Sequence, residues 1–394
     1  MVFLEIICTF VPKFIYFSGN MSVEVRKITT KCGMYRFVKF GNDFYKNCEN
    51  FCPSLILDEL NTFNPKKNPA FDVCEYVLYM AYRDGKAVGR IAGIINHEAN
   101  KKWGVKHVRF GWIDFIDDLE VSKALLDAVS AWGKSKGMDG LNGPVGFTDF
   151  DHQGLLIEGY DYLAPMASLY NYPYYVDLVQ QLGFEKECDW LQYMMRADQD
   201  VEPRMKAIAD RLMQRYKLRV ADFDKLKKNE QTVKDFFRIY NESFDGRVYN
   251  FIPFTDAEIK AEMEQILPQL NSKLCCVLMD ENDEVAAFGI SIPCLSRAMQ
   301  KAKGSMFPFG WYHVLKALRN YKNVDLMING AAPKWQNTGI SAVFHGVMSE
   351  QFKAAGSEWA LANPQIETNL AVNVWDRYES KLWLRRRCWI KKIK

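Results

Sequence analysis

The chain has 394 residues, of which 48% are hydrophobic and 25% are charged, so it is long enough for two ordinary domains and has a globular composition. Its formal net charge of +3 is too small to indicate binding to nucleic acid. The ten cysteines lack the spacing of a zinc site, so we expect reduced thiols, no bound metal and a cytoplasmic protein.

Residues 1–20 differ from the rest of the chain. They are apolar and aromatic, yet they lack the basic start of a signal peptide and contain Glu5 and Pro12. A clean alternating strand begins directly after Met21. We therefore expect residues 1–20 to be a non-native or flexible extension with Met21 as the natural start, and a membrane-touching anchor is the alternative.

Hydrophobic periodicity predicts strands and helices through a first lobe of residues 21–200. The turn Asp84-Gly85 between two alternating runs is typical of a β-hairpin. The predicted strands cover residues 23–28, 76–83, 87–96, 108–115 and 190–194, with one more starting at 141. The predicted helices cover residues 30–46, 119–136 and 171–182, and a loop covers 61–70.

A second lobe of residues 201–394 repeats this order, which indicates two similar α/β lobes with mixed sheets. Thr255 and Glu258 have the spacing of a capping box at a helix start. The predicted strands cover residues 218–221, 274–279, 285–292, 324–328, 358–362 and 387–393. The predicted helices cover residues 230–244, 256–267, 296–319, 340–352 and 369–384.

A polar loop with one glycine joins the strand at 324–328 to the helix at 340–352. The first amides of a helix have no internal partner, so such a junction binds phosphate groups. The alternative is an ordinary turn that requires one glycine. The residues predicted to bind the anion are Lys334, Gln336, Asn337, Thr338, Gly339, Ile340 and Ser341, with Arg297, Lys301 and Lys303 as further charge partners.

The order Gln336-Asn337-Thr338-Gly339-Ile340-Ser341 resembles the acyl-coenzyme A loop of the GNAT acyltransferase superfamily, Gln/Arg-x-x-Gly-x-Gly/Ala. Ser341 departs from the usual last residue. The resemblance implies two tandem GNAT-like lobes, with acyl-CoA or acetyl-CoA as co-substrate in the second. In the first lobe Asp117, Asp118 and Glu120 stand where the loop would be, so we expect no coenzyme site there.

The segment Gly143–Asp161, with its four glycines and four acidic residues, resembles a tandem GNAT-like group that includes the bacterial ceramide synthases. The runs Tyr170–Tyr175 and Glu367-Thr368-Asn369 support that resemblance, whereas Leu382-Trp383 departs from the usual Leu-Gly. The resemblance implies N-acylation of a long-chain sphingoid-type amine, with contact at the inner membrane surface as a further expectation.

GNAT enzymes transfer the acyl group directly to an amine, so the site requires a base and a proton donor for the leaving thiolate. Glu367 is the expected base, and an acidic residue at a helix start is the alternative. Tyr378 is the expected proton donor, and a packed aromatic is the alternative. The residues expected to bind the acceptor are Asp149, Asp151, His152, Glu158 and Asn369.

Three other functions remain open. A GNAT acetyltransferase acting on a small amine is the first, and a protein that binds coenzyme A or lipid without chemistry is the second. An aminoacyl-transferring protein of the Fem type is the third, and it would require a basic face of RNA size. The basic C-terminal residues 385–394 are expected to be a solvated strand end, with contact to anionic lipid as the alternative.

Overall fold

The computed structural model describes residues 22–200, 202–246, 251–267, 270–369, 375 and 378–393. The predicted extension, residues 1–20, lies outside these ranges. None of the helices in the described ranges combines the length and the hydropathy that crossing a bilayer would require.

The described elements alternate between strands and helices in both halves of the chain. The strands are β1 (Glu24–Lys27), β2 (Cys74–Arg83), β3 (Lys86–Asn96), β4 (His107–Phe115), β5 (Gly140–Gly143), β6 (Leu155–Glu158), β7 (Glu185–Arg196), β8 (Arg219–Val220), β9 (Cys275–Met279), β10 (Val285–Pro293), β11 (Asn323–Ala331), β12 (Trp359–Ala362), β13 (Gln365–Ile366) and β14 (Ser380–Lys392). The helices are α1 (Lys31–Phe44), α2 (Ile56–Thr62), α3 (His97–Trp103), α4 (Leu119–Ser135), α5 (Tyr174–Gln181), α6 (Pro203–Arg215), α7 (Phe223–Leu226), α8 (Glu230–Phe244), α9 (Asp256–Ile266), α10 (Ser296–Ala302), α11 (Gly310–Ala317) and α12 (Ile340–Ala355).

One continuous mixed sheet runs through the molecule in the order β1-β2-β3-β4-β5-β14-β7-β12-β11-β10-β9-β8, with β6 and β13 paired at its side. Its centre is the long antiparallel pair of β7 and β14, in which Ser380 lies opposite Met195 and Ile390 opposite Glu185. The last strand of the second half also pairs with β5, and the last strand of the first half pairs with β12. Each half thus inserts its final strand into the other half's part of the sheet.

Local sequence signals explain most of the elements. The Asp84-Gly85 turn joins β2 and β3, and both residues have a positive φ, as a tight hairpin turn requires. Thr255 and Glu258 form the predicted capping box: the Glu258 amide donates to Thr255 Oγ1 at 3.3 Å and the Thr255 amide to Glu258 Oε2 at 2.8 Å. At the start of α4, the Asp118 carboxylate accepts from the Val121 amide at 3.1 Å and fills that helix end.

Three predicted elements are wrong in part. The helix predicted over 369–384 is strand from Ser380 onward, because β14 is held by long-range pairing on both sides, and 370–374 lie outside the described residues. The helix predicted over 296–319 is two helices, α10 and α11, since Gly304 and Pro308 interrupt it. The loop predicted over 61–70 contains the end of α2 and a 3₁₀ helix, Pro69–Asp72.

Two main hydrophobic cores hold the helices against the sheet. In the first half α4 packs on the strands through Leu125, Leu126 and Val129. In the second half α8 and α12 lie against β9 to β11, where Phe236 and Phe344 are buried. The second core also contains Met195 of β7, so the exchanged strand ties the two halves together.

Candidate active site

The strands β11 and β12 separate halfway along β11. Their parallel pairing ends at Leu326 and Ala362. Asn363 then spans the gap, because its amide donates to the Leu326 carbonyl at 3.1 Å and its side chain to the Met327 carbonyl at 2.8 Å. Residues 328–331 pair with β10 and, in the described part of the chain, with no strand on their other side. The Ala331 carbonyl accepts hydrogen bonds from Ser243 Oγ and Gln336 Nε2, both at 3.1 Å, so the backbone groups on that side that are available to a ligand belong to residues 328–330.

The predicted anion loop connects this open edge to α12. Gly339 precedes the helix with φ 88°, in the left-handed region that favours glycine. In the described part of the chain, the amides of Gly339, Ile340 and Ser341 donate no hydrogen bond to a loop or helix-cap carbonyl. Because first-turn amides also have no partner within a helix, this end of α12 can bind an anion.

Other residues of the predicted loop have partners within it. Gln336 Nε2 donates to the Ala331 carbonyl at 3.1 Å, and Thr338 Oγ1 donates to the Trp335 carbonyl at 2.6 Å. Asn337 is exposed and has a positive φ of 60°. These contacts fix the shape of the loop.

Lys334 is engaged by two carboxylates. Its ammonium group lies 2.7 Å from Asp280 Oδ2 and 2.5 Å from Glu284 Oε2. These hydrogen bonds raise the pKa of Lys334, so the residue stays charged but is already neutralised. An incoming phosphate would have to compete with both acids.

The helix α6, which the sequence analysis did not predict, packs beside the anion loop. A side chain at position 339 would lie 3.5 Å from Leu212 and 3.9 Å from Ile208. Arg204, Arg211 and Ile208 share one stripe of the helix by their spacing, and all three are exposed. Both arginines thus share the helix stripe of Ile208, whose side chain lies near position 339.

A cavity of about 920 Å³ extends from the open edge of β11 between the two halves of the chain. Ligand pockets commonly measure about 300–1,000 Å³, so this cavity can hold a large ligand. Residues 326–331 and Ser341 line one end of it. Its wall is mainly apolar and includes Phe150, Phe236, Phe237, Phe244, Phe288 and Phe344.

The cavity wall also has a pronounced excess of acidic side chains. The carboxyl residues that line it are Asp58, Glu59, Asp149, Asp151 and Glu262. Among the described lining residues, Arg196 is the one permanent cation, and its guanidinium contacts Asp198 at 2.5 Å. The wall thus has five carboxyl groups and one guanidinium group that is already paired. This excess of acidic groups favours a cationic ligand such as an ammonium group.

Two predicted acceptor-binding residues, Asp149 and Asp151, are held in fixed positions. Asp149 accepts hydrogen bonds from the Tyr240 hydroxyl and from Gln153 Nε2, both at 3.0 Å. Asp151 Oδ2 accepts from the backbone amides of residues 147 and 148 at 2.7 and 2.9 Å. Burial raises the pKa of Asp149 and raises the pKa of Asp151 to about 6.

His152 and Asn369 also line the cavity. His152 Nε2 lies 3.2 Å from the Met166 carbonyl, and burial lowers the pKa of this imidazole. Glu158 is not among the described residues of the wall, and its carboxylate lies 3.3 Å from Arg385 Nε.

Glu367 lies outside the described cavity wall as well. Its carboxylate is 2.7 Å from Lys186 Nζ, and its Oε1 accepts from the Asp189 amide at 3.2 Å. These contacts tie the segment after β13 to β7, and they favour a structural role for Glu367.

Tyr378 lines the cavity directly before β14, next to residues of α12. Its ring centroid lies 6.0 Å from that of His345 and 6.2 Å from that of Trp375. His345 also lines the cavity, and burial lowers the pKa of its imidazole to about 4, so it is neutral at pH 7.

His345 and Glu262 are candidate functional residues that the sequence analysis missed. One stripe of α12 that lines the cavity contains Ser341, His345 and Met348. The sequence signal for His345 was therefore a polar residue within an otherwise apolar helical stripe. Glu262 lies on α9, and burial, followed by the nearby Asp151 and Glu258, raises its pKa to about 7. No sequence pattern marks Glu262, because one of its two carboxyl neighbours, Asp151, comes from the other half of the chain.

Curated relatives match almost the whole chain, although no protein-family model matches it. Protein YghO from Escherichia coli (strain K12) is 28% identical over 383 residues, which cover 94% of this chain and 95% of that protein. A protein named bacterial ceramide synthase, from Caulobacter vibrioides (strain NA1000 / CB15N), is 25% identical over 371 residues, which cover 91% of this chain and 95% of that protein. The resemblance predicted from the sequence is therefore confirmed.

Solved structures match the fold over a similar extent. A tandem GNAT protein from the clavulanic acid biosynthesis pathway has a TM-score of 0.54 and 8% identity, covering 95% of this chain and 99% of that one. A GCN5-related glucosamine N-acetyltransferase region of a fungal β-N-acetylglucosaminidase has a TM-score of 0.55 and 12% identity, covering 94% of this chain and 38% of that one. The predicted fold class, α/β with two tandem GNAT lobes, is confirmed.

Proposed function

We propose that the protein is an acyl-CoA-dependent N-acyltransferase that acts on an amine with a long hydrocarbon chain. The observation that carries the proposal is that one continuous cavity joins the open edge of β11 to five carboxyl side chains through a mainly apolar space. The open edge of β11 suits a thioester, the carboxyl side chains suit an ammonium group, and the apolar wall suits a hydrocarbon chain. The ceramide synthase name of one relative agrees with such an acceptor.

The second lobe would bind the coenzyme. In the proposal, the amides of Gly339, Ile340 and Ser341 contact the pyrophosphate, with Arg204 and Arg211 of α6 as charge partners. The backbone of residues 328–330, on the open side of β11, would hold the thioester and donate to its carbonyl oxygen. Such a donor, aimed at developing negative charge, is worth about 3 kcal/mol in other acyl transfers.

The acceptor would approach from the first lobe with its ammonium group at the acidic wall. Asp149 and Asp151 are fixed by hydrogen bonds, so they serve to bind and orient the amine. Glu262 is the proposed base, because a carboxyl with a pKa of about 7 can take a proton near neutral pH. Glu367, the base expected from the sequence, is the weaker candidate because Lys186 already neutralises it.

The reaction then follows from these positions. The neutral amine attacks the thioester carbonyl carbon, so that a carbon–nitrogen bond forms and the carbon–sulfur bond breaks. The amine proton leaves to the base, and the coenzyme A thiolate takes a proton from Tyr378. The neutral His345 beside Tyr378 offers a nitrogen that can accept a hydrogen bond from the tyrosine hydroxyl.

The test is acyl transfer by the purified protein, followed as release of free coenzyme A thiol. Palmitoyl-CoA and acetyl-CoA are each supplied with sphinganine, with glucosamine or without acceptor. The proposal expects thiol release that requires sphinganine and is faster with palmitoyl-CoA. Acetyl transfer to glucosamine alone would indicate a small-molecule acetyltransferase, and binding without release would indicate a protein without chemistry.

A matched pair of variants tests the base. Glu262→Gln should lower kcat by about 100-fold and remove the acid limb of the pH–rate profile near pH 7. Glu264→Gln, on the exposed side of the same helix, should leave both unchanged. If Glu262→Gln keeps the wild-type profile, another group removes the proton.

A further inference from the structure

The segment between α10 and α11, together with the first turn of α11, exposes an unusual amount of aromatic surface. Phe307 is 80% exposed, Phe309 70%, Tyr312 53% and Trp311 44%. Large apolar side chains grouped in this way mark a surface that binds a partner or a membrane. We call residues 301–319 the aromatic-basic segment.

The exposure is a property of an ordered loop. Ser305 Oγ donates to the Phe307 carbonyl at 2.9 Å, and the Trp311 amide donates to the Met306 carbonyl at 2.8 Å. The loop is also fastened to the first lobe, because the Ile56 amide donates to the Gly304 carbonyl at 3.0 Å. The aromatic side chains are thus held out into solvent by a fixed backbone.

The charge around these side chains has one sign. Residues 296–322 contain six basic residues, Arg297, Lys301, Lys303, Lys316, Arg319 and Lys322, and no acidic residue. Lys322 pairs with Glu358, and the others have no ion pair among the described residues. Aromatic side chains beside lysine and arginine are typical of a surface that lies in the headgroup region of an anionic bilayer.

The aromatic-basic segment also borders the cavity. Met306 and Leu315 line the cavity wall, and Leu315 is at the same time 48% exposed. The cavity therefore opens to the outside next to α11. A hydrocarbon chain that leaves a bilayer at this point would enter the apolar space without crossing water.

The other basic cluster of the chain is less suited to lipid. Arg386 is fully buried, and Arg387 contacts Asp189 at 2.7 Å. Lys391 donates to the Leu182 carbonyl at 2.6 Å. These basic groups are engaged within the protein, so residues 301–319 are the better candidate for contact with anionic lipid.

We propose that the aromatic-basic segment docks the protein on an anionic lipid bilayer and that the opening beside α11 takes up the lipid acceptor from it. The evidence for docking is the exposed surface alone, and only the identity of the lipid that is taken up rests on the proposed function. The probe is therefore a vesicle without substrate.

The experiment measures co-sedimentation of the full chain with vesicles of phosphatidylcholine alone or of equimolar phosphatidylcholine and phosphatidylglycerol. Wild type should bind the anionic vesicles at least tenfold more tightly, since each basic residue near such a surface contributes about a fivefold gain. Phe307→Ser with Phe309→Ser should weaken binding about tenfold or more, because two aromatic side chains no longer insert. Lys316→Glu with Arg319→Glu should abolish the preference for the anionic vesicles.

Matched controls lie elsewhere on the surface. Leu119→Ser removes an exposed apolar side chain on α4, and Lys27→Glu with Lys86→Glu reverses two exposed charges on β1 and β3. Both should bind as wild type does. The proposal is overturned if wild type binds neither vesicle, or if the phenylalanine variant binds like its control; the surface would then fit a protein partner.

A second readout separates this proposal from the proposed function. The phenylalanine variant should keep wild-type transfer to a water-soluble short-chain amine and lose transfer to a long-chain amine embedded in vesicles. Equal loss on both amines would contradict docking as the role of these residues. Absence of transfer by wild type would refute the enzyme proposal and leave vesicle binding as the test of docking.

Discussion

His345 should make the protein lose stability in acid, and the size of the effect follows from its environment. Burial lowers the pKa of this imidazole to about 4, whereas an unfolded histidine titrates near pH 6.5. Between these values the unfolded chain binds the proton and the folded chain does not, so stability present above pH 6.5 is lost as the pH falls. The ring stacks on Phe344 at 4.5 Å and faces the aromatic rings before β14.

The magnitude can be worked out from the two pKa values. Linkage gives a loss of about 2.5 kcal/mol between pH 7.5 and pH 4.5 from this one residue. The ring lies at the cavity wall, and water in the cavity would reduce the effect, so this figure is an upper limit. His345→Gln removes the titrating group. The variant should therefore lose less unfolding free energy than wild type between pH 7.5 and pH 4.5, by up to about 2.5 kcal/mol.

The measurement is urea unfolding followed by tryptophan fluorescence at both pH values, for wild type and variant. Phe344→Leu serves as a control, because it disturbs the same packing without a titrating group and should cost about the same at both pH values. The reasoning is refuted if His345→Gln and wild type lose equal stability from pH 7.5 to pH 4.5.

Three further changes address the coenzyme site, the proton donor and the fold. Gly339→Ala forces an alanine to φ 88°, so it should cost about 1–2 kcal/mol of stability and weaken coenzyme A binding measured by calorimetry; an unchanged affinity would contradict the loop assignment. Tyr378→Phe should lower kcat about tenfold to 100-fold with little change in KM for acyl-CoA, and steady-state kinetics with a wild-type kcat would remove its role as donor. Thr255→Ala breaks the capping box and should lower the unfolding free energy by about 1 kcal/mol in urea, whereas no change would show that Glu258 compensates.

Local patterns predicted most elements of the fold. The β2–β3 hairpin and α8 could be located from sequence because turn chemistry, helix periodicity and capping act within a few residues. For β14 the sequence predicted only residues 387–393 as strand, because its partners β7 and β5 lie about 200 and about 250 residues away in the chain and the pattern of residues 380–384 also fits a helix. Long-range pairing overrides a local preference there, as it does for many strands.

The candidate site likewise contains residues that the sequence could mark and residues that it could not. Gly339 and Ser341 belong to a short motif, so the sequence could mark the anion loop, and Asp149 and Asp151 belong to a segment too polar for a core. Glu262 became a candidate only when folding placed it near Asp151, about 110 residues away in the chain, because its raised pKa arises from burial and from neighbouring carboxyl groups.

The exchanged strands constrain how a lipid could reach this site. Trp190 and Met195 of β7 line the cavity, and β7 is paired with β14 on one side and with β12 on the other. Moving the lobes apart would break these ladders, and each lost backbone hydrogen bond costs about 1 kcal/mol. Access through a peripheral helix breaks none of them. The exposed and cavity-lining Leu315 places such a helix, α11, at the opening, so the sheet that joins the lobes also favours uptake of the acceptor beside the aromatic-basic segment.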